Sequence, residues 1–153
     1  MNISILINKA NVYDEVAKTT SYDGDKKGNY DKVFTTDDDR LMLERFWVEA
    51  SNEVIDAIKN FIVSVSSQES GRAVDLKNNF TAVLDMPPSF DVNLTGGLNT
   101  SLFSFFVNAI TGKWMAFTNQ ENGTNYTQLA IVSMDDAQSK LFYRKKPIRI
   151  IPT

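Results

Sequence analysis

Between residues 37 and 65 the chain repeats apolar side chains at steps of three or four: Leu43, Trp47, Ala50, Val54, Ala57, Phe61 and Val65. That period is the helical one, and it places all seven on one stripe. Thr36 or Asp37 can cap the start, and Asp37, Asp38 and Asp39 set negative charge on the positive end of the helix dipole. Arg40 with Glu44 and Arg45 with Glu49 stand four apart on the outer face, where opposite charges meet. A helix over about 37–65 is well above the average of about 12 residues. It spans a domain of this size, so the other elements must pack along it.

Those elements are read by the same rules. Residues 2–7 are rich in β-branched side chains and suit a short strand or an extended N-terminal segment, 1–8. Ala10, Tyr13, Val16 and Ala17 mark a helix over 9–20, and Ser21 to Asn29 reads as a polar loop with two glycines. In 78–86, Phe80, Ala82 and Leu84 alternate with Thr81, Val83 and Asp85, the pattern of a strand that Pro87-Pro88 ends. Gly96 and Gly97 suit the turn into a helix over 98–118, with Leu98, Leu102, Phe105, Phe106, Ala109, Ile110, Trp114 and Phe117 inward. After a break at Asn122-Gly123, a fourth helix is expected from Tyr126 to about Phe142. Pro147 stops it, and residues 147–151 alternate as an edge strand or an extended tail. The expected fold is mainly α: a four-helix core with a long central helix and short antiparallel β pieces at about 78–86 and 147–151. At 153 residues, with 42% hydrophobic content, one domain is expected, ending in a tail over 144–153.

The chain has no histidine and no cysteine. The commonest general base, the commonest transition-metal ligands and the thiol nucleophile are therefore missing, and no disulfide is possible. Serine could be activated only by lysine, and the Ser-x-x-Lys spacing does not occur. Asp23, Asp25, Gly28 and Asp31 fit four places of a calcium loop, but Lys27 and Phe34 stand where ligands are required, so a solvated turn is the better reading. Thr95-Gly96-Gly97-Leu98 lacks the Lys and Ser/Thr of a phosphate loop. No catalytic, cofactor-binding or metal residue is assigned, and an enzyme is not expected. The start lacks a basic n-region, and Leu98–Phe117 is interrupted by Asn99, Ser104, Asn108, Gly112 and Lys113, so neither a signal peptide nor a membrane span is expected. Asn-x-Ser/Thr sequons at Asn79, Asn93, Asn99, Asn122 and Asn125 are read as chance occurrences.

Charge is unevenly spread. The formal net charge is -3, but the last fourteen residues carry +5 through Lys140, Arg144, Lys145, Lys146 and Arg149, which leaves the preceding body at -8. Such an end can contact another subunit, complement the negative end of the fourth helix, or bind nucleic acid by neutralising phosphates. The subunit contact is ranked first, with Ile148 to Pro152 offering backbone groups to a sheet edge of a neighbour. Phe103, on a different helical face from Leu102, Phe106 and Ile110, is a candidate contact side chain. The candidate interface is thus Phe103, Arg144, Lys145, Lys146, Arg149 and Ile150.

One resemblance runs along the chain from about residue 8 to 147. A long helix opened by Phe-Thr-Thr-Asp-Asp-Asp carries Glu-Arg-Phe-Trp at 44–47. An alternating strand, Met-Pro-Pro-Ser-Phe-Asp at 86–91, a helix ending Gly-Lys-Trp and the Tyr-Arg-Lys-Lys-Pro end follow it. This order resembles the small virion proteins of phages of Bacteroides-type bacteria, including the head–tail ring proteins of crAss-like phages. The resemblance implies a non-enzymatic virion subunit, assembled in the host cytoplasm into a homo-oligomeric ring of twelve copies between the portal and the tail proteins. DNA would pass nearby without sequence-specific binding, and no membrane or cofactor is implied. The alternative from another class is a nucleic-acid-binding phage accessory protein using the basic end.

Overall fold

The structure, a computed structural model, describes residues 1–26, 37–66, 79–118 and 120–146, with the side chains of 21–26, 37–40, 66, 118 and 120 left aside. Strand β1 (Asn2–Ile7) leads into helix α1 (Lys9–Lys26), and helix α2 (Asp37–Ile58) is followed after a turn by strand β2 (Ile62–Ser66). Strand β3 (Phe80–Asp85) then connects through a short 3-10 turn to helix α3 (Thr95–Thr118) and helix α4 (Gln120–Phe142). Among the described residues the fold is mainly helical, with four helices and one small antiparallel sheet.

The sheet has the order β1-β3-β2. Ile3 faces Leu84, Ile5 faces Ala82 and Ile7 faces Phe80 across the first pair, and all six are buried. The alternate residues Asn2, Ser4 and Leu6 are exposed on the far side, so one face of the sheet covers the helices. An aromatic run ties the layers together. Tyr13 of α1 meets Trp47 of α2 edge-on at 6.2 Å, Trp47 stacks on Phe106 of α3 at 4.6 Å, and Phe106 lies 5.5 Å from Phe80 of β3. Such pairs add about 0.5–1.5 kcal/mol each beyond the area they bury.

Several expectations are corrected. The helix expected over 37–65 stops at Ile58, and Ile62–Ser66 is instead an edge strand, paired with β3 through a bulge between Ile62 and Ser64. Phe61 and Val65 did fall on the helical stripe, but Ile62, Val63 and Val65 are β-branched, and β3 offers a ladder that a helix could not use. Nor is this helix central: α3 occupies the middle, packed against α1, α2, α4 and β1. Residues 2–7 are a sheet strand, not an arm. Helix α1 runs on to Lys26 through the expected loop, since extending a nucleated helix costs little even at Asp23 and Gly24.

Helix α3 starts three residues early, with Gly96 and Gly97 inside its first turn, and α4 starts at Gln120, with Asn122 and Gly123 inside it. Gly123 is not a break but a contact. A Cβ there would stand 3.0 Å from the Ala116 nitrogen and 3.2 Å from the Gly112 oxygen, so α3 and α4 cross there backbone against backbone. The strand expected at 147–151 lies outside the described residues.

Candidate functional site: buried clusters and assembly surfaces

Among the described residues three groups of side chains could carry chemistry, and each is placed by the packing just described. The first is buried. Lys9 begins α1, Tyr13 follows one turn later, and Glu44 comes from α2; Glu44 Oε1 accepts from Lys9 Nζ at 2.5 Å and Oε2 accepts from the Tyr13 hydroxyl at 2.8 Å. Lys9 Nζ also lies 5.7 Å from the centres of both the Tyr13 and Trp47 rings, within cation–π range. Lys9 is 0% and Glu44 3% exposed, so the cluster is closed to a substrate. Burial, then the Glu44 charge and its hydrogen bond, pushes the Tyr13 phenol far above its ordinary range. The sequence pointed Glu44 outward toward Arg40; it is buried instead, because Lys9 supplies the counter-charge from another element.

The second group joins α3 to α4. Ser101 donates to Asp136 at 2.6 Å, and Lys140 Nζ donates to Ser101 Oγ at 2.8 Å and to the same Asp136 oxygen at 2.5 Å. A serine and a lysine thus meet after all, 39 positions apart, with Gly97 leaving room for the lysine stem. The hydrogen bonds from Lys140 and then Ser101 hold the Asp136 carboxyl below its usual range. The Ser101 hydroxyl donates to Asp136 and only accepts from Lys140, so its proton is aimed at the carboxylate and not at the amine that would serve as base in a Ser-Lys nucleophile. The three groups act as a clasp between helices.

The third group is the basic end. Arg144 Nη1 donates to the carbonyls of Leu141 and Tyr143, and its guanidinium sits 5.9 Å from the centre of the Phe61 ring. It therefore caps the negative end of α4. The Lys145 N–H is bound to the Ser89 carbonyl at 2.8 Å, which fixes the direction of the chain as it leaves the helix. Lys145 and Lys146 are exposed, and Arg149 and Ile150 lie outside the described residues. Phe103 is half-buried and packs in part on the core; the exposed aromatic of α3 is Phe117, 72% accessible, which stacks on Phe46. Phe117 was expected inward. It is the penultimate residue of α3, and only its contact with Phe46 covers part of the ring.

No group of three metal-ligating side chains occurs among the described residues. Asp23 and Asp25 lie within α1, whose helical backbone is not the turn of a calcium loop, while Gly28 and Asp31 lie outside the described residues. Among the described residues no helix is long and apolar enough to cross a membrane. Two sequon asparagines have structural roles: Asn79 Oδ1 accepts from the Lys9 N–H and Asn99 Oδ1 from the Leu6 N–H, both at 3.0 Å.

What remains is surface. Leu129, Ile131 and Val132 of α4 are all about half exposed or more. The Leu6 N–H turns away from β3 toward Asn99, so by antiparallel alternation the backbone groups of Asn2 and Ser4 also face outward along β1. Between α2 and α4 runs a groove of about 450 Å³, floored by Phe105 and walled by Ala57, Ile131, Met134 and Phe142, with Glu53, Asp56 and Asp135 on its rim. Sequence reading missed this groove, since it arises from two helices lying side by side on α3. Compared with protein-family models, with curated proteins and with solved structures, the chain finds no match in any of the three.

Proposed function

We propose that the chain is a structural virion subunit of a tailed phage, assembling into a ring of twelve copies at the head–tail junction, between portal and tail proteins and around the DNA channel. The observation that carries this reading is that the chain has unlike adhesive surfaces. One is the apolar, acid-rimmed groove between α2 and α4, and the other is the basic end, whose Lys145 and Lys146 are exposed. Unlike surfaces on one chain make a heterologous contact, which closes into a ring when the rotation permits. The order of elements and motifs set out above supports the phage setting. The two clusters of polar side chains support a non-enzymatic role, since one is sealed and the other is a satisfied clasp.

A nucleic-acid-binding role is second. Arg144, spent on carbonyls of its own helix end, offers little to a phosphate, although Lys145 and Lys146 remain exposed. Replacing Arg144, Lys145, Lys146 and Arg149 together by alanine separates the two. Native mass spectrometry of the parent chain should give a twelve-copy mass that the variant loses, with DNA affinity unchanged. Intact assembly with lost DNA retention would instead favour the second role, and a parent chain that stays monomeric even with portal present would sink the first.

A further inference from the structure

We propose that the groove between α2 and α4 receives residues 147–153 of a second copy of the chain. The proposal deepens the ring reading, from which it takes that copies associate head to tail.

Charge selects the occupant. The groove carries Glu53, Asp56 and Asp135 against a single lining cation, Lys59, which pairs with Asp56 at 3.2 Å. Glu53 is shared with Lys113 at 3.0 Å, and Asp135 forms no salt bridge among the described residues. The floor is aromatic and aliphatic. A fitting ligand is therefore apolar on one side and basic on the other, and Pro147-Ile148-Arg149-Ile150-Ile151-Pro152, following Lys145 and Lys146, has that character. Prolines at both ends favour extended backbone, in which Ile148 and Ile150 fall on one side and Arg149 on the other. Length agrees as well. The α4 wall from Ile131 to Phe142 is about 16 Å long at 1.5 Å per residue. Seven extended residues reach at most about 23–25 Å.

Direction selects a second copy over the same one. Phe142 forms the end of the groove and packs on Phe61 at 5.5 Å, and the chain then leaves this end, with Lys145 tied to Ser89 on the connection between β3 and α3. Lys146 precedes a proline, which disfavours helical backbone and so a tight return at that residue. With copies meeting head to tail, the groove of the neighbour is the one offered to the segment.

The absence of cysteine gives a clean test in the full chain. Chains carrying Ile150→Cys and chains carrying Gln138→Cys, a half-buried groove residue, are mixed and mildly oxidised. A disulfide-linked dimer should be the main product, and Ile150→Cys mixed with Ser4→Cys should give none. With Ile150→Cys and Gln138→Cys in one chain, a ladder of linked multimers is expected; a compact, internally linked monomer overturns the choice of a second copy. Absence of any Gln138 link, or an equal yield with Ser4 on the β1 edge, overturns the groove. Charge exchange guards against misfolded variants: Asp135→Lys and Arg149→Glu should each weaken self-association at least tenfold, and the two together should restore most of it. A ladder that stops at the dimer would retire the ring while the contact stands. A twelve-copy assembly without the link would retire the contact and leave the ring.

Discussion

Replacing Glu44 by glutamine tests whether the buried cluster is as costly to break as its geometry implies. The carboxylate offers two acceptor oxygens, one to Lys9 Nζ and one to the Tyr13 hydroxyl, at a site 3% exposed or less. Glutamine keeps the volume, so no cavity term enters, but it carries one acceptor where two donors converge, and it removes the charge opposite Lys9. Removing one partner of a buried pair costs about 3–5 kcal/mol, because the attraction is lost while the desolvation remains. For a domain of this size each kcal/mol lowers Tm by about 2–4 °C, so Glu44→Gln should melt about 6–20 °C below the parent. Urea unfolding should give the same loss with an unchanged slope. The control replaces all three members together, Lys9→Met, Tyr13→Phe and Glu44→Leu, which removes the paired charges of the cluster at once and should fall within about 2 kcal/mol of the parent or above it. A Glu44→Gln chain within 1 kcal/mol of the parent would refute the argument, and so would a triple variant worse than the single.

The remaining predictions are of the same kind. The Tyr13 phenol is raised in the folded state, so its contribution is complete below the unfolded pKa of about 10 and is lost as pH rises above it; the parent should lose about 1.4 kcal/mol per pH unit there relative to Tyr13→Phe, by urea unfolding in alkaline buffers. Gly123→Ala places a Cβ 3.0 Å from the Ala116 nitrogen and should cost about 1–3 kcal/mol, whereas Gly96→Ala, with open space around it in the first turn of α3, should stabilise by up to about 1 kcal/mol. Asn8 Oδ1 accepts from the Asn11 N–H at 3.0 Å and caps α1, so Asn8→Ala should cost about 1 kcal/mol in thermal unfolding.

The elements were largely legible because their burial follows simple periods. The strand at 80–85 buries Phe80, Ala82 and Leu84, the three expected to share one face, and α3 buries Leu98, Leu102, Phe105, Phe106, Ala109 and Ile110 as its spacing requires. The errors lie where two periods compete or where a third body decides. At 58–66 a helical stripe and a β-branched run coincide, and only the presence of β3 chooses between them. At Asn122-Gly123 a turn signature is overruled by a neighbouring helix close enough that only a glycine fits. Neither decision is local, so neither could be read from a window of sequence.

The same logic explains why the candidate surfaces were the least legible part. A core position declares itself by repetition, but an interface made of Ala57 and Glu53 on one helix, Ile131, Met134 and Asp135 on another and Phe105 beneath them has no period in the sequence. Its residues are individually unremarkable on their own helices: Ile131 and Phe142 look like surplus apolar groups, and Asp135 like an ordinary solvated charge. Only the packing of both α2 and α4 against α3 makes them one surface. The basic end is the reverse case, an obvious run of charge whose meaning depends on what faces it. Arg144 resolves part of that by turning back onto its own helix. The charge left to act on another body is then Lys145, Lys146 and Arg149, which sit on the same segment as the isoleucines that an apolar groove would take. Charge and apolar character therefore travel together on one segment of the sequence, which favours a partner that is both acidic and greasy over one that offers phosphates alone.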